Sequence, residues 1–390
     1  MEKRFVYADN AATTPVAAEV LNKMMPYLTG EYGNPSAGFY TLGQRAKAAV
    51  EEARKQVAEV LGADPKEIFF MGSGTEADNF ALRGVMHSKQ VKGKKRLITT
   101  KIEHHAILHT AEALANEGYD VVYLPVDNYG VVDIEALKNA INEDTALVSV
   151  MAANNEIGTI QPLKEIADIC HDRGVLFHTD AVQAFGHIPL NVKELGIDLL
   201  SLSGHKINAP KGVGALYIRS GLMPLPIITG GGQEKGRRSG TENVPSIVAL
   251  GEAARIKGER MEREAAYVRS LSKRLQEGVL SKIPQSALTG HPENRLPGNS
   301  SFVFSAVEGE SLIMNLNIEG ICAATGSACS TASLDPSHVL MSIGLAHEVA
   351  HGSLRLTLDV QNTEEDVDYI IEKLEKILDR LRKMSPVWEE

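Results

Sequence analysis

From about residue 42 to residue 220 this 390-residue chain alternates helix-like with strand-like segments, and that rhythm restricts its fold more than any other feature. Leu42, Ala46, Ala49, Val50, Ala53, Val57, Val60 and Leu61 recur at three- and four-residue steps, with Glu51, Glu52, Arg54 and Lys55 on the opposite side. The spacing predicts an amphipathic helix whose apolar stripe packs on a core. Short apolar runs follow at residues 68–70, 97–99, 121–124, 147–150, 175–177, 199–201 and 215–218, with helical stretches between most of the earlier ones. This pattern predicts an α/β fold with a mostly parallel seven-stranded sheet. The last two runs are close enough in sequence for an antiparallel addition.

Beyond Gly230-Gly231-Gly232 the texture changes to a charged helical run from about 249 to 280, extended runs at 301–304 and 354–358, and a helix near Glu310. Thr363 followed by Glu364, Glu365 and Asp366 reads as the capped, acidic first turn of a final helix reaching Met384. These pieces predict a smaller α+β domain, on which the first residues, too few to fold alone, would dock. The expected division is a large domain at 15–260 and a small one made of 1–14 and 261–390. No internal repeat or low-complexity tract interrupts it.

A net charge of −10 and a pI near 5.7 argue against general nucleic-acid binding and against an anionic membrane surface. No apolar stretch reaches membrane-spanning length, and Met1-Glu2-Lys3-Arg4-Phe5 lacks the centre of a secretory signal. The cysteines are Cys170, Cys322 and Cys329, a sparse and odd set without a CxxC pair, which suits a reducing, cytoplasmic setting. Cys170 sits at an apolar helical spacing, as a small buried hydrophobe would. Cys329, in Thr325-Gly326-Ser327-Ala328-Cys329-Ser330-Thr331-Ala332, has only small neighbours and is where an accessible thiol would be placed.

In an open α/β sheet, ligands sit beyond the carboxyl ends of the strands. Met71-Gly72-Ser73-Gly74-Thr75-Glu76 joins a strand to a helix there, and its amides with the Thr75 hydroxyl suit a phosphate. It lacks the Gly-Lys-Ser/Thr ending of a P-loop and the third glycine of a dinucleotide fingerprint, so ATP and NAD fall behind a small monophosphate. Lys206 closes Ser201-Leu202-Ser203-Gly204-His205-Lys206, and Asp180 ends a strand twenty-six residues upstream. Either residue alone reads as a surface charge or a turn former. Together they are what pyridoxal 5'-phosphate chemistry uses: a lysine for the aldehyde and a carboxylate for the pyridine nitrogen. Amides at Asn154, Asn155 and Gln183 follow strands too, where they form turns or donate to a phenolate oxygen. His105 and His109, beside Glu103-His104, would share a helical face as zinc ligands can. No cysteine pair or zinc-peptidase glutamate accompanies them; an imidazole at a strand end can equally stack on an aromatic cofactor ring, and a structural role for His105 and His109 ranks above both.

Several strings stand in one order: Ala8-Asp9-Asn10-Ala11-Ala12-Thr13-Thr14, Gly33-Asn34-Pro35-Ser36, Ser73-Gly74-Thr75-Glu76, Glu103-His104-His105, Asn154-Asn155-Glu156-Ile157-Gly158, His178-Thr179-Asp180-Ala181-Val182-Gln183, Ser203-Gly204-His205-Lys206, Arg238-Ser239-Gly240-Thr241-Glu242-Asn243 and Gly326-Ser327-Ala328-Cys329. On these the chain resembles, nearly end to end, the PLP-dependent cysteine desulfurases of the class-V aminotransferase superfamily, in the subgroup serving iron-sulfur cluster assembly. The resemblance implies the PLP-dependent transferase fold type I, with Lys206 as the Schiff-base lysine, Asp180 on the pyridine nitrogen, His104 stacked on the ring, and Asn155 and Gln183 at the ring oxygen. It implies phosphate contacts from Gly74, Thr75, Ser203 and His205, and from Thr241 of a second subunit, hence a homodimer. Arg355, helped by Asn34, matches the group that takes the carboxylate of the substrate, L-cysteine. Cys329 matches the nucleophile that receives the sulfur as a persulfide, leaving L-alanine, for delivery to an iron-sulfur scaffold protein or another sulfur acceptor. His104 is also a candidate for deprotonating Cys329. A selenocysteine lyase or a transaminating relative is the rival enzyme, and Cys329 favours sulfur transfer because transamination needs no thiol. A scaffold keeping the fold for binding alone is a further rival, which the presence of both Lys206 and Cys329 argues against. Departures are small: Gly-Ser-Gly-Thr replaces the frequent Ser-Gly-Ala-Thr, and Ser330-Thr331 inverts a common Thr-Ser.

Overall fold

The computed structural model describes residues 4–326, 336–386 and 388. β1 (Val6–Tyr7) opens the chain and is followed by α1 (Ala18–Thr29) and α2 (Thr41–Leu61). The α2 stripe ends at Gly62, whose φ of 64° lets its amide turn back to the Ala58 and Glu59 carbonyls as a glycine C-cap. The expected alternation then runs through β2 (Ile68–Met71), α3 (Gly74–Met86), β3 (Arg96–Thr100), α4 (His105–Asn116), β4 (Asp120–Leu124) and α5 (Ile134–Ala140). It continues with β5 (Thr145–Ser149), α6 (Leu163–Asp172), β6 (Leu176–Asp180), α7 (Val192–Leu195), β7 (Leu199–Ser203) and β8 (Gly214–Ile218).

These strands form one seven-stranded sheet in the order β2-β8-β7-β6-β5-β3-β4. β8 runs antiparallel to both neighbours and the other pairs are parallel, so the sheet is mostly parallel, as the rhythm predicted. Every residue of β2, β5, β7 and β8 is buried, which is why these strands read as continuous apolar runs: helices cover both faces. One core gathers Val50, Val57, Leu61, Val148, Phe177 and Leu250 on one side. Another gathers Phe80, Leu82, Leu97, Ile107 and Leu216 on the other.

α8 (Val244–Lys282) links this body to the rest. Its first half supplies Val248, Leu250 and Ile256 to the sheet core, while Val268, Leu271, Leu275 and Val279 enter a separate cluster. That second cluster is built with β9 (Ser286–Leu288), β10 (Asn299–Phe304), α9 (Gly309–Ile318), β11 (Ile321–Cys322), α10 (His338–Ser342), α11 (His347–His351), β12 (Ser353–Thr357) and α12 (Glu364–Met384) around it. β9, β10 and β12 make an antiparallel sheet, and β1 pairs with β11. Val6 and Ala8 join this cluster, and α12 starts in a capping box between Thr363 and Asp366. We propose the domain division at 15–260 against 1–14 with 261–390 on this separation of cores. A bridging cluster of Ile102, Met151, Ile157, Val303, Val339, Leu340 and Ile343 seats α10 over the strand ends of the large sheet.

Candidate active site

The carboxyl ends of β2, β3, β5, β6 and β7 open into a cavity of about 500 Å³, closed on the other side by residues 11–12, Gly326, Pro336, Ser337, His338 and Arg355. Gly74, Thr75, His104, Asn155, Asp180, Gln183, Ser203, His205 and Lys206 all line it. The sheet explains the convergence: parallel strands end on one edge, and each is followed by a short polar turn. α3 begins there, capped by Ser73, whose hydroxyl accepts from the Glu76 amide at 3.0 Å. A Cβ on Gly74 would lie 2.7 Å from Val182 Cγ2, so the backbone of this turn sits tight against the turn after β6.

Lys206 follows β7 on a single tight turn, and its Nζ donates to the Ala11 carbonyl at 2.5 Å and the Ala12 carbonyl at 2.8 Å. Asp180, 6% exposed, accepts from the Val182 amide at 2.9 Å. Burial pushes its carboxyl up to about 6, opposed by that amide and by the Lys206 charge. Behind it stands the buried Asp78 of α3, 3.8 Å from His178 Nε2 and raised well above the carboxylate range by burial and then by Asp180. His178 itself is locked between Ser149 Oγ at 2.8 Å and Ser201 Oγ at 3.0 Å, and burial lowers it to about 3. A neutral ring in that place keeps the layer beneath Asp180 uncharged.

His104 caps α4, its Nδ1 accepting from the Ala106 amide at 3.1 Å, which puts the proton of the neutral ring on Nε2. Burial and the Lys206 charge lower its pKa to about 4. The side chain beside it, Glu103, is fully buried, accepts from Thr100 Oγ1 at 2.7 Å and the Met151 amide at 3.0 Å, and is pushed up to about 8 by burial. His205 Nδ1 faces Thr13 Oγ1 at 3.2 Å and Gln183 Nε2 donates to the Ala11 carbonyl at 3.0 Å, so the first residues of the chain form part of the site. Arg355, 3% exposed on β12, donates through Nη2 to Asp9 Oδ1 at 2.9 Å and through Nη1 to the Asn155 carbonyl at 3.1 Å.

Some expected residues stand apart. Asn34 is exposed, its Oδ1 accepting from the Ser36 amide, and Thr241 is exposed as well; neither lines the cavity of this chain. Cys329 lies outside the described residues. Cys170 is fully buried and its thiol is pushed up to about 12, whereas Cys322 is half-buried. His105 stacks on His109 at 4.8 Å and lies 5.0 Å from His338, whose Nε2 is 3.0 Å from the Glu103 carbonyl. Among the described residues no cluster of three or more potential ligands could hold a metal. Sequence reasoning passed over Asp78, Glu103, Glu156 and Ser337. Glu103 and Glu156 lay inside strings already singled out, but nothing in their spacing reveals that they are buried.

The Aminotransferase class-V family model matches residues 6–370. The chain is 52% identical over 387 residues to cysteine desulfurase IscS of Clostridium botulinum strain Hall, covering 99% of this chain and 97% of that protein. A solved NifS-like protein superposes with a TM-score of 0.91 at 41% identity, covering 97% of this chain and all of that one. A structure of SspA in complex with cysteine superposes with a TM-score of 0.80 at 35% identity, covering 91% of this chain and 99% of the other. A strand-end cavity with one lysine and buried carboxylates, matched over nearly the whole length, places the chain in the class-V aminotransferase family. Within that family it belongs with the IscS/NifS-like cysteine desulfurases.

Proposed function

We propose that this chain binds pyridoxal 5'-phosphate in the strand-end cavity and converts L-cysteine to L-alanine, the sulfur passing to Cys329 as a persulfide. The residues fit the cofactor. The N-terminus of α3 with Thr75, Ser203 and His205 suits its phosphate, Lys206 its aldehyde, and the buried Asp180 its ring nitrogen. The neutral His104 ring suits stacking, and Asn155 and Gln183 suit its ring oxygen. When bound, the cofactor supplies an electron sink that acidifies Cα of the amino acid. Lys206 is placed to carry the Cα proton, and the Arg355 guanidinium to hold the substrate carboxylate. Cys329 then bonds to the substrate sulfur as the carbon–sulfur bond breaks, so that cysteine and a thiol become alanine and a persulfide with no oxidant required. A thiol with an ordinary pKa of about 8.5 is only partly ionised at neutral pH. The low pKa of His104, set first by burial and then by the Lys206 charge, makes it a weak base for that proton.

The observation that carries this reading is that Gly326 and Pro336, which flank residues 327–335, both line the cavity holding Lys206, Asp180 and Arg355. Cys329→Ser should bind the cofactor and L-cysteine yet form almost no alanine; substantial desulfuration by that protein would sink the assignment.

Exposed apolar side chains support the homodimer: Leu21, Met25 and Leu28 on α1, Tyr32, Phe39 and Tyr40 after it, and Met223, Leu225, Ile227 and Ile228 in the segment between β8 and α8. The exposed Thr241 lies in that same segment, where it would serve the partner's phosphate site. The sulfur acceptor is an iron-sulfur scaffold protein or another sulfur-accepting protein, and the cysteine usage supports a cytoplasmic setting. Among the described residues no helix is long and apolar enough to cross a membrane.

A further inference from the structure

Glu76 and Arg238 are charged, half-buried and without a part in the mechanism above, yet they meet at the turn assigned to the cofactor phosphate. Glu76 stands in the first turn of α3, where its amide donates to Ser73 Oγ at 3.0 Å and its Oε2 accepts from the Gly72 amide at 2.9 Å. The carboxylate thereby closes the turn at Gly72 to Gly74 on itself. A Cβ on Gly72 would come within 2.7 Å of that oxygen, so the fit depends on glycine. Arg238 reaches the same carboxylate from 162 residues away as a fork, Nε to Oε1 at 2.8 Å and Nη2 to Oε2 at 3.3 Å. Its remaining nitrogen, Nη1, donates to the Ser239 carbonyl at 3.4 Å.

The segment that delivers Arg238 is itself fixed. Glu234, with 2% of its side chain exposed, accepts from Arg54 Nη1 at 2.8 Å and Nη2 at 2.9 Å, and from the Phe70 amide of β2 at 2.9 Å. Glu234 and Lys235 hold φ of 44° and 56°, left-handed backbone that residues with a side chain keep only where their surroundings impose it. The strand that ends in the phosphate turn therefore also anchors the segment whose arginine meets that turn.

We propose that Arg238 is a positioning residue for phosphate recognition: it neutralises the Glu76 carboxylate that orders the turn, so that the turn can accept a dianion. The inference rests on the phosphate site given above to Gly74 and Thr75. A carboxylate in the first turn of a helix suits the helix dipole, and here it also holds the Gly72 amide. The same negative charge opposes an anion bound at the same helix end. A guanidinium fork removes the conflict, because it leaves the bond to Gly72 in place and brings the pair to zero net charge. Removing the arginine alone would leave an uncompensated carboxylate beside the phosphate, and removing both charges would not.

The test takes the full-length protein freed of cofactor and measures, by absorbance titration, dissociation constants for pyridoxal 5'-phosphate and for pyridoxal, which lacks the phosphate. Arg238→Gln should weaken binding of pyridoxal phosphate about ten-fold or more and of pyridoxal less than about three-fold. Adding Glu76→Gln to that variant should return the affinity for pyridoxal phosphate to within about three-fold of the unaltered protein, since no charge is left to neutralise. No loss, a loss shared equally by the two ligands, or a double variant as weak as Arg238→Gln would overturn the role of Arg238 while leaving the cofactor reading intact. An unaltered protein that binds pyridoxal phosphate no better than pyridoxal would overturn the placement of the phosphate at this turn, and this inference with it. If Arg238→Gln fails to fold, Glu76→Gln alone carries the test. Pyridoxal phosphate held as tightly as by the unaltered protein, or more tightly, supports the proposal, and a loss beyond about three-fold refutes it.

Discussion

The cavity wall made by the large sheet and the wall made by β12 and α10 both present charged groups, yet they hold them differently. On the sheet side, Asp180 and Lys206 in the wall, and Glu103 buried outside the cavity lining, each stand within three residues of a strand end. Asp180 is held by an amide two residues on, and Glu103 by a hydroxyl three residues back. On the other side Arg355 takes its partners from Asp9, 346 residues away, and from Asn155, 200 residues away. The backbone of the first wall follows from the sheet itself, although the Lys206 amine meets the Ala11 and Ala12 carbonyls only once the first residues of the chain are in place. The second exists only once the small domain and the first residues of the chain have docked, so the site proposed for the substrate carboxylate is a product of domain assembly.

The sharpest way to break this contrast is at Lys206. Lys206→Ala removes the group on the sheet wall to which we assign both the anchoring of the cofactor and the proton transfer, and should lower turnover by at least roughly 10³-fold. The visible absorbance that develops when the unaltered protein is incubated with pyridoxal phosphate should be lost or displaced. Retention of both turnover and spectrum would remove Lys206 from the mechanism. A smaller effect belongs to the second wall. Arg355→Lys keeps the charge but loses the fork that reaches Asp9 and the Asn155 carbonyl together, and should raise KM for L-cysteine about 10- to 100-fold while the cofactor spectrum stays unchanged. A spectrum altered as strongly as in Lys206→Ala would show that the two walls are not separately assembled.

The same contrast explains what could be read from the sequence. The sheet was legible because each strand is a short apolar run and most of the following turns announce themselves with glycine, asparagine or aspartate, Lys101-Ile102-Glu103-His104 after β3 being an exception; so were Lys206, Asp180 and the Gly74-Thr75 turn. The docking of residues 1–14 was legible only from their being too few to fold alone. Asp9 meeting Arg355, Ser337 meeting Glu156, and Asn299 holding the Glu156 carbonyl were not legible, because each joins segments more than a hundred residues apart and no local period encodes such a meeting. Burial was the other silent quantity. Nothing in Glu103-His104-His105 distinguishes a carboxyl with no exposed surface from a solvated one, and the histidines draw attention away from it.

Glu103 supplies the smallest of the expected effects, and it is one of stability. Its folded pKa of about 8 lies far above the value near 4.3 of an unfolded glutamate, so between those pH values the folded chain holds a proton that the unfolded chain has released. The sign follows: stability falls as pH rises through that window, most steeply while the unfolded group is fully ionised and the folded one is still protonated. Buried histidines act in the opposite sense but lower down. His178, His104 and His205, depressed to about 3, 4 and 4, add stability as pH rises towards the ordinary histidine range, and that contribution is complete above it. Glu156, at about 7, has largely titrated before pH 8. Comparing Glu103→Gln with the unaltered protein from pH 7 to 9 therefore isolates one group. The amide oxygen retains the bonds from Thr100 and Met151, and the side chain carries no charge at any pH. Denaturant unfolding should show the unaltered protein losing about 1.4 kcal/mol more than the variant across those two pH units. Parallel curves would mean that the Glu103 carboxylate is stabilised within the sheet wall by something its two hydrogen bonds do not supply.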